Sequence, residues 1–169
     1  MRVIIDSHAH AVVASEAYKY MAELVASRAN PSIAITLLLS SEVFKRLPTL
    51  KLIIPHGGGA IPYHMGRFRA WSVHKKEAFF DEQLKHLHFD TTTYDKDALE
   101  LLFKVVGTER VLFATENPGT GSQIDPRSGR SFDDLKPVIE AMEMLSDKDR
   151  ENIFECNCAR LYTHFKNYK

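Results

Sequence analysis

His8 and His10 stand two residues apart, just after the β-branched run Val3-Ile4-Ile5 and Asp6. In an extended chain, side chains at i and i+2 leave the same face, so both imidazoles can reach one ion. The competing reading is a pair of surface histidines at a strand end. His56 opens the run His56-Gly57-Gly58-Gly59. Glycines accept tight turns and close approach to a ligand, and oriented N–H groups such as those of Gly57 and Gly58 can hold an anionic oxygen. A strand-to-helix turn that simply needs glycine is the alternative. Glu116 ends an apolar run and enters Asn117-Pro118-Gly119. It reads either as a ligand or as a solvated loop carboxylate. Arg67 and Arg69 follow the glycines, and a guanidinium pairs well with a substrate carboxylate. For Arg69 a solvated or interface position on a helix is the preferred reading.

The elements that would position these residues alternate along the chain. Arg2 to Ile5 and Leu50 to Pro55 read as buried strands, His88 to Tyr94 as a third and Arg110 to Thr115 as a fourth. Helical periodicity runs over residues 15–28, then from Asn30-Pro31 to about Arg46, where the apolar Ile33 to Leu39 is read as helix rather than strand. Further helices are expected over Pro62 to Lys85, Asp97 to Val106 with a stop at Gly107, 133–145, and 147–163 behind a Ser146-x-x-Asp149 cap. Residues 117–132 form a loop rich in Gly, Pro and Ser. Strand and helix in alternation imply parallel strands with helical crossovers, and chemistry in such folds collects at the carboxyl ends of the strands. His8, His10, His56 and Glu116 all fall there. Asp90 is a candidate for the same edge or for a structural network. Phe89 and Tyr94 read as packing, and Cys156-x-Cys158 as small core residues in a helix.

Several longer motifs resemble the amidohydrolase superfamily. Ile4-Ile5-Asp6-Ser7-His8-Ala9-His10 resembles its opening. Leu50 to His64, with the glycine run at its centre, resembles its decarboxylase and hydratase branch. The similarity continues through Gly66-Arg67-Phe68-Arg69, Phe89-Asp90-Thr91, Leu112-Phe113-Ala114-Thr115-Glu116, Ile124-Asp125-Pro126, Phe132-Asp133-Asp134 and Ile153-Phe154-Glu155-Cys156-Asn157. It covers residues 1–10 and about 48–165. The resemblance implies a (β/α)8 barrel with a divalent metal, zinc first and manganese second. It makes His8, His10 and Glu116 metal ligands, His56 and Glu116 catalytic groups, and Gly57, Gly58 and Arg67 substrate contacts. A metal of this kind lowers the pKa of bound water to about 7. The implied activity is a lyase or hydrolase that hydrates or decarboxylates a small carboxylated ring or unsaturated diacid. The alternative is an inactive relative kept as a metal-binding or oligomerising module.

A (β/α)8 barrel typically takes about 250 residues, and this chain has 169. The family's middle strands, and with them its third histidine ligand, find no counterpart between about residues 10 and 33. His64, His74, His86 and His88 do not stand at matching positions. The expectation is therefore an α/β fold, a partial barrel derived from the TIM barrel, with about four parallel strands, flanking helices and one domain over 1–169. Open edges on such a half-barrel invite pairing with a second copy, so a homodimer is expected. Lys+Arg and Asp+Glu both number 22, which argues against nucleic acid as a partner. The apolar runs are too short to span a bilayer. Two cysteines too close to staple a fold, and no apolar leader in Met1 to His10, point to a reducing, cytoplasmic address.

Overall fold

The computed structural model describes residues 31–39, 41 and 43–162, with side chains from residue 35. The expected strand at 2–5, the helix at 15–28, His8 and His10 lie outside the described residues. Helix α1 (Pro31–Leu39) and α2 (Val43–Arg46) lead into strand β1 (Leu52–Ile54). Then come α3 (Ile61–His74), α4 (Phe80–Gln83) and β2 (Leu87–Asp90). Helix α5 (Lys96–Val106) and β3 (Val111–Leu112) follow. The chain closes with α6 (Leu135–Glu140), α7 (Asp147–Glu151) and α8 (Asn157–Leu161), the last two joined through a π-turn at Asn152–Cys156.

The strands form one parallel sheet in the order β1-β2-β3. Leu52 pairs with Leu87, Ile54 with Phe89, and Phe89 with Val111. Side chains alternate along a strand, so these five share one face. They are buried with Ile61 and Met65 of α3 and with Leu99, Leu102, Phe103 and Val106 of α5. That α5 quartet has the i, i+3, i+4, i+7 spacing of one helix face, and each such burial contributes about 1.5–3 kcal/mol. Among the described residues no helix is long and apolar enough to cross a membrane.

Several expected elements are shorter, most of them for a local reason. The helix expected from Asn30 to Arg46 is two. The Ser41 hydroxyl donates to Leu38 O at 2.6 Å and accepts from Val43 N–H at 3.3 Å, so it ends α1 and starts α2. The helix expected to reach Lys85 stops at His74. Lys76 takes a left-handed φ of 57°, Lys76 N–H reaches Val73 O and Glu77 N–H reaches Ser72 O. These two bonds make a Schellman stop with lysine where glycine is usual. The third strand ends at Asp90 because Thr92 N–H turns back to the Asp90 carboxylate at 3.2 Å. The fourth leaves the ladder after Leu112, since Phe113 N–H bonds Ile153 O. Of the segment expected as helix over 133–145, α6 occupies 135–140 and single turns the rest. The Ser146–Asp149 capping box forms as expected. Cys158 is buried in the core and Cys156 half-buried, both as free thiols.

His88 lies on the other face of β2, half-buried, with its Nδ1 atom buried and without a hydrogen-bond partner among the described residues. Burial, and the charges of Lys51, Arg110 and Arg160, lower its pKa from 6.5 to about 4. The unfolded chain thus takes up this proton first. The ring's contribution to stability is complete above 6.5, falls as pH drops from 6.5 to about 4, and levels off below. For a partly solvated ring the loss should be about 2 kcal/mol. Urea unfolding at about pH 7.5 and about pH 4 should show it, and the difference between the two should shrink by that amount in His88→Gln. An unchanged difference would mean that His88 is not held neutral.

Candidate active site

Each strand end leads into a tight turn. After β1, residues His56, Gly57, Gly58 and Gly59 all have positive φ, of 55°, 60°, 82° and 62°. Four such residues in a row curl the chain back on itself. The turn is tied to the end of β2. Asp90, 1% exposed, accepts from Gly57 N–H at 3.1 Å, Thr92 N–H at 3.2 Å and the Thr92 hydroxyl at 2.8 Å. The Thr92 hydroxyl oxygen also accepts His56 N–H at 3.2 Å and lies 3.5 Å from Nδ1 of the His56 ring. Buried Asp90 therefore sets Thr92, and the two together set the backbone of His56, whose side chain is exposed.

Glu116 follows β3 on the same sheet edge. Its carboxylate accepts the Tyr94 hydroxyl at 2.6 Å. Burial, and then the Glu116 carboxylate, push the Tyr94 phenol well above the usual tyrosine range, so it stays a proton donor. Between them, the Thr91 hydroxyl donates to Ala114 O at 2.8 Å and accepts Ala114 N–H at 2.9 Å, carrying the β2–β3 contact past the end of the ladder. Behind Glu116 the 117–134 loop is anchored on Asp133, 5% exposed. Its carboxylate takes bonds from Ser131 at 2.6 Å, Asn117 at 2.8 Å and Ser122 at 2.9 Å. Those donors, Ser131 foremost, hold the Asp133 carboxyl below its ordinary pKa.

Non-glycine residues rarely take positive φ, and such strain gathers at functional sites. Among the described residues four do so, and three of them, His56, Tyr94 and Glu116, sit at this edge.

The sequence-predicted residues distribute as follows. His56 and Glu116 follow β1 and β3 at the carboxyl-end edge of the parallel sheet. Gly57 and Gly58 are beside His56, but their N–H groups bond Asp90 and Pro55 O rather than facing outward. Arg67, on α3, is exposed and lines a groove of about 500 Å³ with Thr36, His64, Phe68, Ala70 and Trp71. None of those residues belongs to the strand ends. Arg69 makes a two-pronged bond to Asp81, at 2.6 and 2.8 Å, which ties α3 to α4. Asp90 serves the structural network. Tyr94, read as packing, does pack against the core and also bonds Glu116. Thr92 and Asp133 carry structural roles that no local sequence pattern announced, because their partners come from other segments.

The sequence profile of the amidohydrolase family matches residues 1–163. A 2-keto-4-carboxy-3-hexenedioate hydratase from Sphingobium sp. is 42% identical over 135 residues, which is 79% of this chain and 39% of the hydratase. The crystal structure of 4-oxalomesaconate hydratase from Rhodopseudomonas palustris superposes with a TM-score of 0.76 at 37% identity, over 82% of this chain and 42% of that one. A dihydroxybenzoic acid decarboxylase from Polaromonas sp. JS666, solved with manganese and an inhibitor, shares the fold at 20% identity and a TM-score of 0.60, over 81% and 41%. The chain thus spans about two fifths of the length of the relatives it matches. Parallel strands with helical crossovers, strand ends that carry His56 and Glu116, and a match over nearly all of the sequence lead to one conclusion: the chain belongs to the amidohydrolase family.

Proposed function

We propose that this chain is a metal-dependent lyase that hydrates an unsaturated di- or tricarboxylate. The supporting observation is that His56 and Glu116 share one sheet edge. Each has left-handed backbone, and each is held by groups from the segment that ends β2. The similarity to two hydratases favours hydration over decarboxylation.

Hydration adds a hydroxyl group to one carbon of a double bond and a proton to the other. It needs a group that takes a proton from water and one that returns it. The exposed His56 imidazole suits that transfer, with the Thr92 hydroxyl beside Nδ1 to orient the ring. Glu116 is an oxygen donor of the kind divalent metals take, and Tyr94 fixes its carboxylate. Among the described residues no group of three His, Cys, Asp or Glu is arranged to hold a metal. In this reading the set is completed by His8 and His10, with zinc or manganese as the ion. A bound metal would lower the pKa of water and polarise a substrate oxygen. Gly57, Gly58 and Arg67 are the proposed substrate contacts, a second copy of the chain the proposed partner, and the cytoplasm the proposed location.

Elemental analysis of the purified full chain tests this. We expect about one zinc or manganese per chain, lost both in the His8→Ala, His10→Ala double variant and in Glu116→Gln. Loss of ultraviolet absorbance from an unsaturated tricarboxylate should report turnover that disappears with the metal. A double variant that keeps its metal would overturn the ligand assignment. Metal without turnover would overturn the lyase reading. A monodisperse monomer in sedimentation would remove the proposed partner.

A further inference from the structure

The opposite edge of the sheet, where the strands begin, carries a concentration of positive charge that the lyase reading does not use. Ile53 pairs with His88, and Phe89 with Val111. Just before Val111, Arg110 ends the 3-10 turn Thr108–Arg110 that leads into β3, next to the Phe89–Val111 pair. Lys51, two residues before Ile53, belongs to the same sheet face. Helix α8 is drawn to this edge because the Asn157 side-chain amide donates to Val111 O at 2.6 Å and to Thr108 O at 2.7 Å. One turn on, the Arg160 guanidinium donates to the Asn157 side-chain amide oxygen, Oδ1. Lys51, Arg110 and Arg160 all act on the His88 ring.

Among the described residues no carboxylate pairs with these cations. Lys51 Nζ donates to the Lys85 carbonyl at 3.4 Å, and among the described residues neither Lys51, Lys85, Arg110 nor Arg160 has an ion-pair partner. Lys148, which also acts on Arg160, is paired with Glu151 at 2.7 Å. Several cations elsewhere on the surface are paired. Lys96, Lys104, Arg127, Arg130, Lys136 and Arg150 each have an acidic partner. In a chain of zero net charge, four cations gathered without an acid repel one another. A buried imidazole nitrogen lacking a partner adds a hydrogen-bonding group that a ligand could satisfy.

We propose that this edge binds a small oxyanion, a phosphate or carboxylate group, between Lys51, Arg110 and Arg160, at a site separate from the lyase site. Two guanidinium forks supply paired N–H donors matched to such an anion, and the lysine supplies a third charge. His88, once protonated beside the bound anion, donates from the nitrogen that has no partner among the described residues.

The test is an NMR titration of the full-length protein with inorganic phosphate at constant ionic strength, with sodium chloride as reference. The His88 signal is identified by its loss in His88→Gln. Saturable binding should raise the His88 midpoint from about 4 towards 6.5. Arg160→Gln, at an exposed position, should weaken phosphate binding about tenfold. Lys136→Gln, at a paired lysine outside the cluster, should leave it unchanged. Should Arg160→Gln fail to fold, Lys51→Gln serves in its place. Succinate in parallel separates the sources: an equal response identifies a carboxylate site, and a response to phosphate alone a phosphoryl site. A midpoint that moves no further than with chloride, or an Arg160→Gln protein that binds as well as the parent, would overturn the proposal. Neither result depends on metal or turnover, so failure here leaves the lyase reading standing.

Discussion

Replacing Asp90 with alanine should lower stability by about 3–5 kcal/mol in urea unfolding near neutral pH. Asp90 is 1% exposed and accepts three hydrogen bonds, from Gly57 N–H, Thr92 N–H and the Thr92 hydroxyl. Bonds to an ionised acceptor contribute about 1.5–3 kcal/mol each, and a buried donor left without a partner costs about 1–3. Alanine removes the acceptor and leaves two backbone N–H groups that water cannot readily reach. The damage is not local to β2. The Gly57 bond holds the turn that carries His56, so the ring should lose its fixed position and turnover should fall with stability. Asp90→Asn keeps an acceptor oxygen and should recover much of the loss. Thr92→Val should show the smaller effect, about 1–2 kcal/mol, because it breaks hydroxyl bonds while leaving the Thr92 N–H bonded. A loss below about 1 kcal/mol in Asp90→Ala would show that the turn does not depend on this carboxylate.

Gly58→Ala should cost about 2–4 kcal/mol by the same measurement. Gly58 has φ 82°, where a side chain costs about 1–2 kcal/mol. A Cβ there would also lie 2.7 and 2.8 Å from two atoms of the Phe89 ring. Phe89 is 0% exposed in the middle of the core, so the ring cannot swing away. Gly66 supplies the opposite sign. It sits in α3, and a Cβ there meets nothing within 4 Å. Gly66→Ala should stabilise by about 0.5–1 kcal/mol, the usual gain of alanine over glycine in a helix. If both substitutions moved stability in the same direction, the contact with Phe89 would not be what makes Gly58 necessary.

Much of the architecture was legible before any coordinates. The apolar runs before His56 and Glu116, and the run from His88 to Tyr94, named three of the strands, and His56 and Glu116 marked the edge where polar residues gather. Ser146 and Gly107 marked helix ends through interactions between near neighbours, and Ser146–Asp149 and Gly107 bound helices as local chemistry requires. Element lengths were less legible. Lys76 ends α3 in a conformation usually given to glycine, and Ser41 divides a continuous apolar helix by bonding both sides of itself. Neither residue type announces that choice: the bonds at Lys76 are backbone ones that any sequence can make, and a serine hydroxyl can bond neighbouring backbone without ending a helix.

The amino-acid sequence alone determined the family, the parallel α/β architecture and the identity of the residues at the strand ends. These follow from periodicity and motif, which are properties of neighbouring residues. What only the tertiary structure decided is how those residues are held and what else shares their surroundings. Asp90 supports His56 from 34 residues away, and Tyr94 steadies Glu116 from 22 away. Arg67 turns to a groove on a helix, and Lys51, Arg110 and Arg160 meet at one edge from three separate segments. Such pairings depend on register and crossover geometry, which bring distant residues within hydrogen-bond reach only after the sheet has formed.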